Sequence, residues 1–581
     1  MIPFSGAMMA GAAALTPSLP RYTIIDDYEA TTSRSVANGT QTLSSSRKIS
    51  GTNALVLQGN GAGDVITTQN PALFSGDFAG QDLLVIGYNV QSQPGMADLG
   101  RINPIFIQGG STYSYQYDTS ATGTTIPTHN TIEMGNIGNT FASWSIDRFR
   151  ITNFAGAKLN AAGASSRTSR VQLTSFGAGI GSRAPNVALD TCMLVKARYK
   201  PIVMVSADDL AGNQYTLLYP LAKARRIPLT IYVPWDNIGA AGGISQAQLL
   251  EMQNEGGCGM CLDSAGDDKP ITAFADVAAA IAQLNTGRNT MRSIFGAGRC
   301  EDHLEFSYNM NAMPVAPQTV ANCTTTSGSN VVTVGGNAGY TQAVIGMYVF
   351  HANFPAGTVV TGALSPSQIT VSNNATGSTS TASITFSGGV AGVAVTCNGT
   401  TTINMSGSGI NKTDFMRVGM EFTGYTVPAG TTITAINSAS QFVVSNAVPA
   451  TCTLANVNHH TAPFYRSNIA DALIANGYKS ALHSAYGGIY TGLGLPDPQR
   501  LMHMGYYAID NGLTACTAYV DQAIAEGTDI ELNGHFGAWD GTLVTAVLDM
   551  LVAKRDAGLI DIMHRGDWYN AVRVRPRFPG T

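Results

Sequence analysis

The stretch that decides the fold is residues 200–210, KPIVMVSADDL, in which an apolar run ends in two adjacent carboxylates. Six consecutive residues of strand-forming type, with little alternation between apolar and polar, are typical of a buried strand in a parallel sheet. Sites in βα barrels lie at the carboxyl ends of such strands, so Asp208 and Asp209 are candidate site residues. The competing interpretation is a solvated turn in which one aspartate begins a helix.

The order of strand-like and helix-like segments after this strand indicates a βα architecture. Apolar strand-like and helix-like segments alternate after residue 200, and the same alternation returns near the C-terminus. This order predicts helices packed around a parallel sheet or barrel. The segments are IVMVSA, YTLLYPLAKARRI, PLTIYVPW, SQAQLLEMQNEG and ITAFADVAAAIAQLN, then YVDQAIAEG, DIELNGH, LVTAVLDMLVAKRDAG and IDIMH.

The flanking and inserted regions have a different pattern. Residues 22–198 form short alternating segments separated by Gly, Asn and Ser, which predict an antiparallel β-sandwich. Residues 319–458 contain a repeat in which Gly346 matches Gly419 and Pro355 matches Pro428, each 73 positions apart. We therefore expect two small β modules inserted into a surface loop of the α/β domain. The predicted bounds are 1–21 for an N-terminal segment, 22–198, 199–318, 319–458 and 459–581.

Composition excludes several classes of function. The chain has 581 residues, only 12% of them charged, and a formal net charge of −5, so nucleic acid is not expected as a partner. No apolar run long enough to span a membrane is present. The eight cysteines are scattered, and we expect most of them to be buried thiols.

Several segments resemble the polysaccharide deacetylase family, the carbohydrate esterases built on a NodB-homology barrel. The family's Thr/Ser-Phe-Asp-Asp-Gly motif is matched by SADDL at 206–210, and its Gly-Ile-Pro-Ala-Thr-x-Phe strand by RIPLTIYV at 226–233. The helix that follows is matched by SQAQLLEM at 245–252. The resemblance spans roughly 199–318 and 459–575, and it implies a deformed (β/α) barrel interrupted by the inserted modules.

The resemblance implies roles for the paired aspartates. Asp208 would be the general base and Asp209 a metal ligand, because a metal-bound water needs a nearby carboxylate to accept its proton. The family's second motif, His-Ser/Thr-x-x-His, is replaced by GCGMCLDSAGDD at 257–268, which has no histidine. In the register that keeps the serine, Asp263 and Asp267 occupy the two histidine positions.

Two interpretations of this substitution remain open. Asp209, Asp263 and Asp267 form an all-carboxylate site for a divalent ion, with Mg²⁺, Mn²⁺ or Ca²⁺ favoured over Zn²⁺, or the metal site has been lost. A shift of one residue in the register places Leu262 and Gly266 at these positions and removes the site. The nearby CxxC of Cys258 and Cys261 is weak evidence for a zinc site.

The remaining motifs supply candidate substrate contacts. HLEFSYN at 303–309 is similar to the family's aromatic strand, so Tyr308 and His303 are predicted to contact substrate, although a histidine at this position is more often structural. TDIELNGH at 528–535 resembles the closing strand, in which His535 would protonate the leaving sugar oxygen or tune the base. Trp539 is predicted to stack against a sugar ring, with core packing as the alternative.

The function implied by the resemblance is metal-dependent removal of O- or N-acetyl groups from an acetylated bacterial polysaccharide. The repeat and the polar β-rich composition resemble phage tail proteins, which implies a receptor-binding tailspike in the virion or another extracellular protein. A homotrimer is the usual state of such fibres, but no heptad pattern enforces one here. The alternative is a carbohydrate-binding or structural tail protein on a deacetylase scaffold that has lost its chemistry.

Overall fold

The computed structural model describes most of residues 200–573 and a set of shorter pieces before them. The described ranges are 22–32, 34–45, 52–59, 65–69, 83–90, 101–108, 111–114, 144–150, 168–174, 186–195 and 200–573, with gaps at 267–268, 299, 308–316, 406–411, 425–426, 429, 460–468, 483–500, 503 and 535–540.

The N-terminal pieces form two antiparallel sheets, as expected for a sandwich-like unit. One sheet has the order β3-β4-β11-β6-β9 with β1 added beside β11, and the other has the order β2-β5-β10-β7-β8. Leu55, Leu57, Ile86 and Leu189 are buried among the strands of the first sheet. The strands are β1 (Tyr22–Asp26), β2 (Arg34–Ala37), β3 (Gly39–Ser44), β4 (Ala54–Gly59), β5 (Val65–Gln69), β6 (Leu83–Val90), β7 (Arg101–Gln108), β8 (Ser111–Ser114), β9 (Trp144–Arg150), β10 (Thr168–Thr174) and β11 (Asn186–Val195).

The strand predicted from residues 200–210 is β12 (Ile202–Ala207), and all six of its residues are buried. It lies inside a parallel sheet of eight strands with the order β28-β15-β14-β13-β12-β30-β29, and β31 also pairs with β12. The other strands are β13 (Thr230–Val233), β14 (Gly259–Asp263), β15 (His303–Glu305), β28 (Ser480–Leu482), β29 (Tyr507–Ala508), β30 (Ile530–Gly534) and β31 (Asp561–Ile562).

The two ends of this parallel sheet approach each other. A single parallel bridge joins Leu482, at the end of β28, to Met504, three residues before β29. The order of the strands around this closed path therefore follows the order of the chain, as in a βα barrel. The mixed α/β and β architecture predicted from the sequence is confirmed, whereas the NodB type of the barrel stays a prediction.

Helices pack against the parallel sheet, and the starts of α2 and α3 have side-chain caps that the sequence supplies. Ser245 and Gln248 form a reciprocal capping box at the start of α2, and Asp276 accepts from the Ala279 amide at the start of α3. The helices of this domain are α1 (Tyr219–Ala224), α2 (Gln246–Gly256) and α3 (Val277–Phe295), followed after the insertion by α5 (Ile469–Ala475), α6 (Gly512–Glu526), α7 (Gly541–Asp556) and α8 (Arg565–Val572).

Two six-stranded antiparallel sheets lie between β15 and α5. Their orders, β18-β21-β16-β17-β20-β19 and β24-β27-β22-β23-β26-β25, are the same when each strand is matched to its counterpart six strands later. The first comprises β16 (Gln318–Thr325), β17 (Val331–Thr333), α4 (Ala338–Thr341), β18 (Tyr348–Phe350), β19 (Val360–Ser365), β20 (Gln368–Val371) and β21 (Thr379–Ser387). The second comprises β22 (Gly389–Thr396), β23 (Thr402–Met405), β24 (Glu421–Gly424), β25 (Ile433–Ser438), β26 (Gln441–Val444) and β27 (Leu454–Asn458).

The repeated sequence makes the same local contacts in both modules. The Thr358 hydroxyl donates to the Pro355 carbonyl at 2.7 Å, and the Thr431 hydroxyl donates to the Pro428 carbonyl at 2.6 Å. The repeat thus encodes the same turn twice. The exact domain bounds drawn from the sequence stay predictions.

Six cysteines carry thiols and are buried, as expected, but Cys261 and Cys300 form a disulfide. The pair is 39 positions apart in sequence, and strand β14 brings Cys261 next to the segment that precedes β15.

Among the described residues, no helix is both long and apolar enough to cross a bilayer.

Candidate functional site

Four polar side chains come together at the carboxyl edge of the parallel sheet. Asp208 directly follows β12, Asp263 and Glu305 are the last residues of β14 and β15, and Asn533 is the penultimate residue of β30. Parallel strands end at the same edge, and these positions are brought together by the pairing of β12 with β30 and of β14 with β15. We term Asp208, Asp263, Glu305 and Asn533 the acidic mouth.

Hydrogen bonds link the members of the acidic mouth. The Asn533 side-chain amide donates to Asp208 Oδ2 at 3.4 Å and to Glu305 Oε1 at 3.5 Å. The Ser307 hydroxyl donates to Asp263 Oδ1 at 3.3 Å. One amide nitrogen therefore holds the two carboxyl groups from β12 and β15 on either side of it.

The three carboxyl groups are largely removed from water. Asp208, Asp263 and Glu305 are 4%, 3% and 7% exposed. The second oxygen of Glu305, Oε2, is buried and has no hydrogen-bond partner within the part of the chain that the structure describes. A buried carboxyl oxygen without a partner is costly when it is charged, so this group favours its protonated form.

Electrostatics act on Glu305 in the same direction. Burial raises the pKa of Glu305 well above its ordinary value, and the negative charges of Asp208, Asp263, Glu531 and Asp209 raise the pKa further. Glu305 is therefore a carboxylic acid that retains its proton where ordinary glutamates have lost theirs. A carboxylic acid that keeps its proton close to a second carboxyl group can act as the acid in hydrolysis while its neighbour acts as the base.

The adjacent aspartates that mark the end of β12 lie in different environments. Asp208 is buried, whereas Asp209 is exposed and has a left-handed backbone with φ 68°. Leu210 is also left-handed, with φ 52°, and the buried Gln214 amide donates to the Asp208 backbone carbonyl. Consecutive left-handed residues other than glycine are strained, and such strain is concentrated at functional sites.

A second loop holds this turn in place. The Gly212 amide donates to the Gly242 carbonyl at 3.1 Å, and Ala211 forms an antiparallel bridge with Gly243. A Cβ at Gly212 would lie 2.8 Å from the Gly242 oxygen, so only glycine permits this approach. The loop after β13 thus fixes the segment that carries Asp208 and Asp209.

A buried ion pair lies in the interior of the sheet beneath the acidic mouth. Arg565, from α8, pairs with Glu531 of β30, and both side chains are 0% exposed. The Tyr232 hydroxyl donates to Glu531 Oε1 at 2.9 Å, and Arg565 donates to the Ser480 hydroxyl at 2.8 Å. Four elements are therefore tied together below the carboxyl groups of the site.

His303 belongs to this lower layer. It begins β15, which Glu305 ends; its Nδ1 atom lies 2.7 Å from the Ser480 hydroxyl, and its ring meets the Tyr569 ring edge-on. Burial lowers the pKa of His303 well below its ordinary value, and the positive charge of Arg565 lowers the pKa further. A neutral, buried imidazole with these partners fits a structural residue, and its contact with substrate stays a prediction.

Four predicted site residues, Asp267, Tyr308, His535 and Trp539, lie outside the described residues. Their roles as metal ligand, substrate contact, proton donor and aromatic wall stay predictions.

The predicted metal site is therefore described only in part. Asp263 lies in the acidic mouth, and Asp209 is close enough to raise the pKa of Glu305. Among the described residues, no group of three or more His, Cys, Asp and Glu is arranged to hold a metal ion. The oxygen-only donors fit a hard cation in their chemistry, but the described residues do not make a complete ligand set, and Asp267 lies outside them.

Sequence reasoning did not identify Glu305 and Asn533 as site residues. Both lie in segments whose motif resemblance points instead to His303, Tyr308 and His535. Position along the strand is the sequence signal that identifies them. In parallel strands alternate residues face the same side, and polar residues at the carboxyl ends are candidates for a site at that edge. Glu305 is two residues after His303, and Asn533 is two residues before His535.

Comparisons with known proteins give low similarity. No family model matches the chain, and no curated protein does. Among solved structures, a family 11 carbohydrate-binding module from Clostridium thermocellum, in complex with a β-1,3-1,4-mixed-linked tetrasaccharide, is 12% identical with a TM-score of 0.20, and the match covers 31% of this chain and 98% of the module. A carbohydrate esterase from Shiga toxin-encoding bacteriophage phi24B is 12% identical with a TM-score of 0.19, over 30% of this chain and 99% of that one.

A third similar structure, the CBM22-1 and GH10 modules of Clostridium thermocellum xylanase 10B with xylohexaose, is 9% identical with a TM-score of 0.20, over 48% of this chain and 56% of that one. All three are carbohydrate-active or carbohydrate-binding proteins. At these TM-scores the similarities carry no argument about the activity of this chain.

Proposed function

We propose that the protein is a carbohydrate-active hydrolase that removes acetyl groups from a bacterial surface polysaccharide at the acidic mouth. The observation that carries this proposal is the convergence of Asp208, Asp263 and Glu305, largely buried, at the carboxyl edge of one parallel sheet. The motif resemblance to polysaccharide deacetylases supports the choice of reaction, since the edge residue Asp208 matches the family's general base.

The carboxyl groups supply both proton transfers that hydrolysis requires. Asp208, held by the Asn533 amide, accepts a proton from the attacking water while the water oxygen bonds to the acetyl carbonyl carbon. Glu305, which retains its proton, donates it to the sugar oxygen or nitrogen as the bond to the acetyl group breaks. The products are the free sugar hydroxyl or amine and acetic acid, which loses its proton to water or to the freed amine and leaves as acetate. The proton that Asp208 accepted passes to Glu305 and restores both groups. The motif resemblance gives this donor role to His535 instead, which stays the alternative prediction.

A divalent cation is part of the proposal. When bound, it would polarise the acetyl carbonyl and lower the pKa of the attacking water. Asp209 and Asp263, with Asp267, are the residues proposed to hold it. Mg²⁺, Mn²⁺ and Ca²⁺ suit these oxygen ligands better than Zn²⁺.

The biological setting is proposed from the sequence. The polar, repeat-containing β modules and the N-terminal sheets are typical of a virion tail or another extracellular protein, where they would extend contact with glycan. A NodB-type barrel and a homotrimeric tailspike are the finer forms of this proposal.

A second candidate function is glycan binding without chemistry. Its support is the replacement of the family's two motif histidines by Asp263 and Asp267. In this case the acidic mouth would bind sugar hydroxyl groups through its carboxylates, and no acetate would be released.

The two functions are separated by measuring acetate release from acetylated capsular or lipopolysaccharide glycan. Wild type is compared with Asp208→Asn and with a matched control, Asp556→Asn, whose carboxylate is 62% exposed at the end of α7. Loss of a general base is expected to slow acetate release roughly 10²- to 10⁴-fold, while the control retains activity. Each protein is assayed with chelator and after addition of each divalent ion.

Each result points to one function. Acetate released by wild type and the control, but not by Asp208→Asn, supports deacetylation. Glycan binding without acetate under every ion supports the binding protein, and new reducing ends without acetate indicate cleavage of glycosidic bonds instead.

A further inference from the structure

Two cysteines of the second inserted module lie at the same end of its core. Cys397 directly follows β22, and Cys452 lies two residues before β27. They are 4% and 2% exposed and share one cluster of buried apolar side chains.

Backbone hydrogen bonds hold the segments around the two cysteines side by side. The Val395 amide donates to the Thr453 carbonyl at 3.0 Å, and the Gly399 amide donates to the Val448 carbonyl at 3.0 Å. Cys397 and Cys452 lie between these two bonds, on opposite segments. Strands β22 and β27 pair with Ala394 opposite Leu454. The segments that carry Cys397 and Cys452 adjoin this pair and therefore lie next to each other.

The thiols themselves are in contact. The Cys397 and Cys452 side chains share a hydrogen bond, and this contact, together with burial, raises the pKa of Cys397. The first module differs, because its Cys323 thiol lies 3.4 Å from the backbone carbonyl of Val320.

The molecule already carries a disulfide between Cys261 and Cys300 in its α/β domain. Disulfides persist in oxidising compartments, such as the outside of a cell or the surface of a virion. An environment that maintains one disulfide also permits a second wherever two thiols meet in suitable geometry.

We propose that Cys397 and Cys452 are the two halves of a second disulfide, formed as the module folds by exchange with a small disulfide such as oxidised glutathione. The thiolate of one cysteine attacks oxidised glutathione and forms a mixed disulfide, releasing one glutathione. The thiolate of the other cysteine then displaces the second glutathione. The two cysteines are oxidised, one molecule of oxidised glutathione is reduced to two of glutathione, and the two thiol protons leave with the products.

The bond would form during folding, because the folded module buries both thiols away from glutathione, whereas the attacking thiolate must be accessible. It would close a loop 55 positions long that contains β23 to β26. Closing such a loop stabilises a small module mainly by restricting its unfolded state.

The proposal is tested by refolding the full chain in buffers containing either reduced glutathione with dithiothreitol or a mixture of oxidised and reduced glutathione. Remaining thiols are alkylated under denaturing conditions, and the digested protein is analysed by mass spectrometry. After oxidative refolding we expect a linked Cys397–Cys452 peptide pair whose mass is lower by two hydrogen atoms than that of the separate peptides. Alkylation of both cysteines after oxidative refolding would overturn the proposal.

Thermal unfolding provides a second readout. The oxidised form is expected to melt roughly 10 °C above the reduced form in the transition of the second module. Cys397→Ser and Cys452→Ala should each remove this difference, while the matched control Cys258→Ser, in the α/β domain, should retain it. A linked form that melts at or below the temperature of the reduced form would also overturn the proposal, and the peptide analysis of wild type does not depend on any variant folding.

Discussion

Glu305→Gln is the substitution that most directly probes the electrostatics of the acidic mouth. Burial and neighbouring carboxylates raise the pKa of Glu305, so the folded protein holds a proton there that the unfolded chain releases. Glutamine has nearly the same shape and can still accept the hydrogen bond from Asn533, but it has no proton to lose. The variant therefore isolates the contribution of one titrating group.

The sign and size of the effect follow from proton linkage. The pKa of Glu305 is higher in the folded protein than in the unfolded chain. The contribution of Glu305 to the free energy of unfolding is therefore fully present below the ordinary glutamate pKa, and it falls as the pH rises toward the raised pKa. Within that window one proton is released on unfolding, and the free energy of unfolding falls by about 1.4 kcal/mol per pH unit. Between roughly pH 5.5 and pH 6.5, wild type should lose about 1.4 kcal/mol more stability than Glu305→Gln.

The assay is urea unfolding of the full chain at the two pH values, in the presence of chelator so that no cation binding contributes. Fluorescence of Trp568, which is buried beneath the same sheet, reports on this domain. Glu255→Gln is the matched control, because Glu255 is 60% exposed and pairs with Lys223 at the surface.

Equal pH dependence in wild type and Glu305→Gln would refute the reasoning, since it would mean that Glu305 is ionised in the folded protein. The control should follow wild type at both pH values. A smaller pH dependence in Glu255→Gln would show that the assay reports surface charge instead of the buried acid.

Three further substitutions test the surrounding structure. Arg565→Met leaves Glu531 charged in the interior without its partner, and the free energy of unfolding should fall by about 3–5 kcal/mol in urea titration. Gly287→Ala places a Cβ 2.4 Å from the Trp235 ring, so stability should fall by about 1–3 kcal/mol and tryptophan fluorescence should shift. Asn533→Leu removes the donor shared by two carboxyl groups, and acetate release should slow by about tenfold or more, equivalent to a barrier about 1.4 kcal/mol higher.

Matched variants control for each of these changes. Lys223→Met removes an exposed cation, Gly335→Ala adds a Cβ whose nearest atom lies at an ordinary 3.6 Å, and Asn437→Leu changes an exposed amide. Each should shift stability by no more than about 0.5 kcal/mol. If Lys223→Met or Gly335→Ala lost as much stability as Arg565→Met or Gly287→Ala, the explanations from burial and packing would be contradicted. If Asn437→Leu slowed acetate release, the role given to the Asn533 amide would be contradicted.

Local sequence signals predicted the framework of the α/β domain. The apolar run before Asp208 is the buried strand β12, and the segment SQAQLLEM at 245–252 forms the start of α2, as predicted. These features depend on neighbouring residues, so they can be read from the sequence. The predicted helix at ITAFADVAAAIAQLN begins only at Val277, because Asp276 caps it and Ile271–Ala273 form a short 3-10 turn.

Features that depend on distant residues could not be predicted in the same way. Arg565 and Glu531 meet only when α8 lies beneath β30, and Cys261 meets Cys300 only when β14 and β15 pair. Glu305 lies in a segment that the motif comparison assigned to an aromatic strand. Burial in the folded sheet raises its pKa, and negative charges on other strands raise the pKa further, neither of which a local pattern reveals.

The central claim is that Asp208 and Glu305 act together in one hydrolytic centre, and a double-mutant cycle tests it most directly. Acetate release is measured for wild type, Asp208→Asn, Glu305→Gln and the double variant on the same acetylated glycan. Residues that act as one unit lose activity together, so the double variant should be no slower than the slower single variant. Losses that multiply in the double variant, or single variants that release acetate at the wild-type rate, would contradict the account.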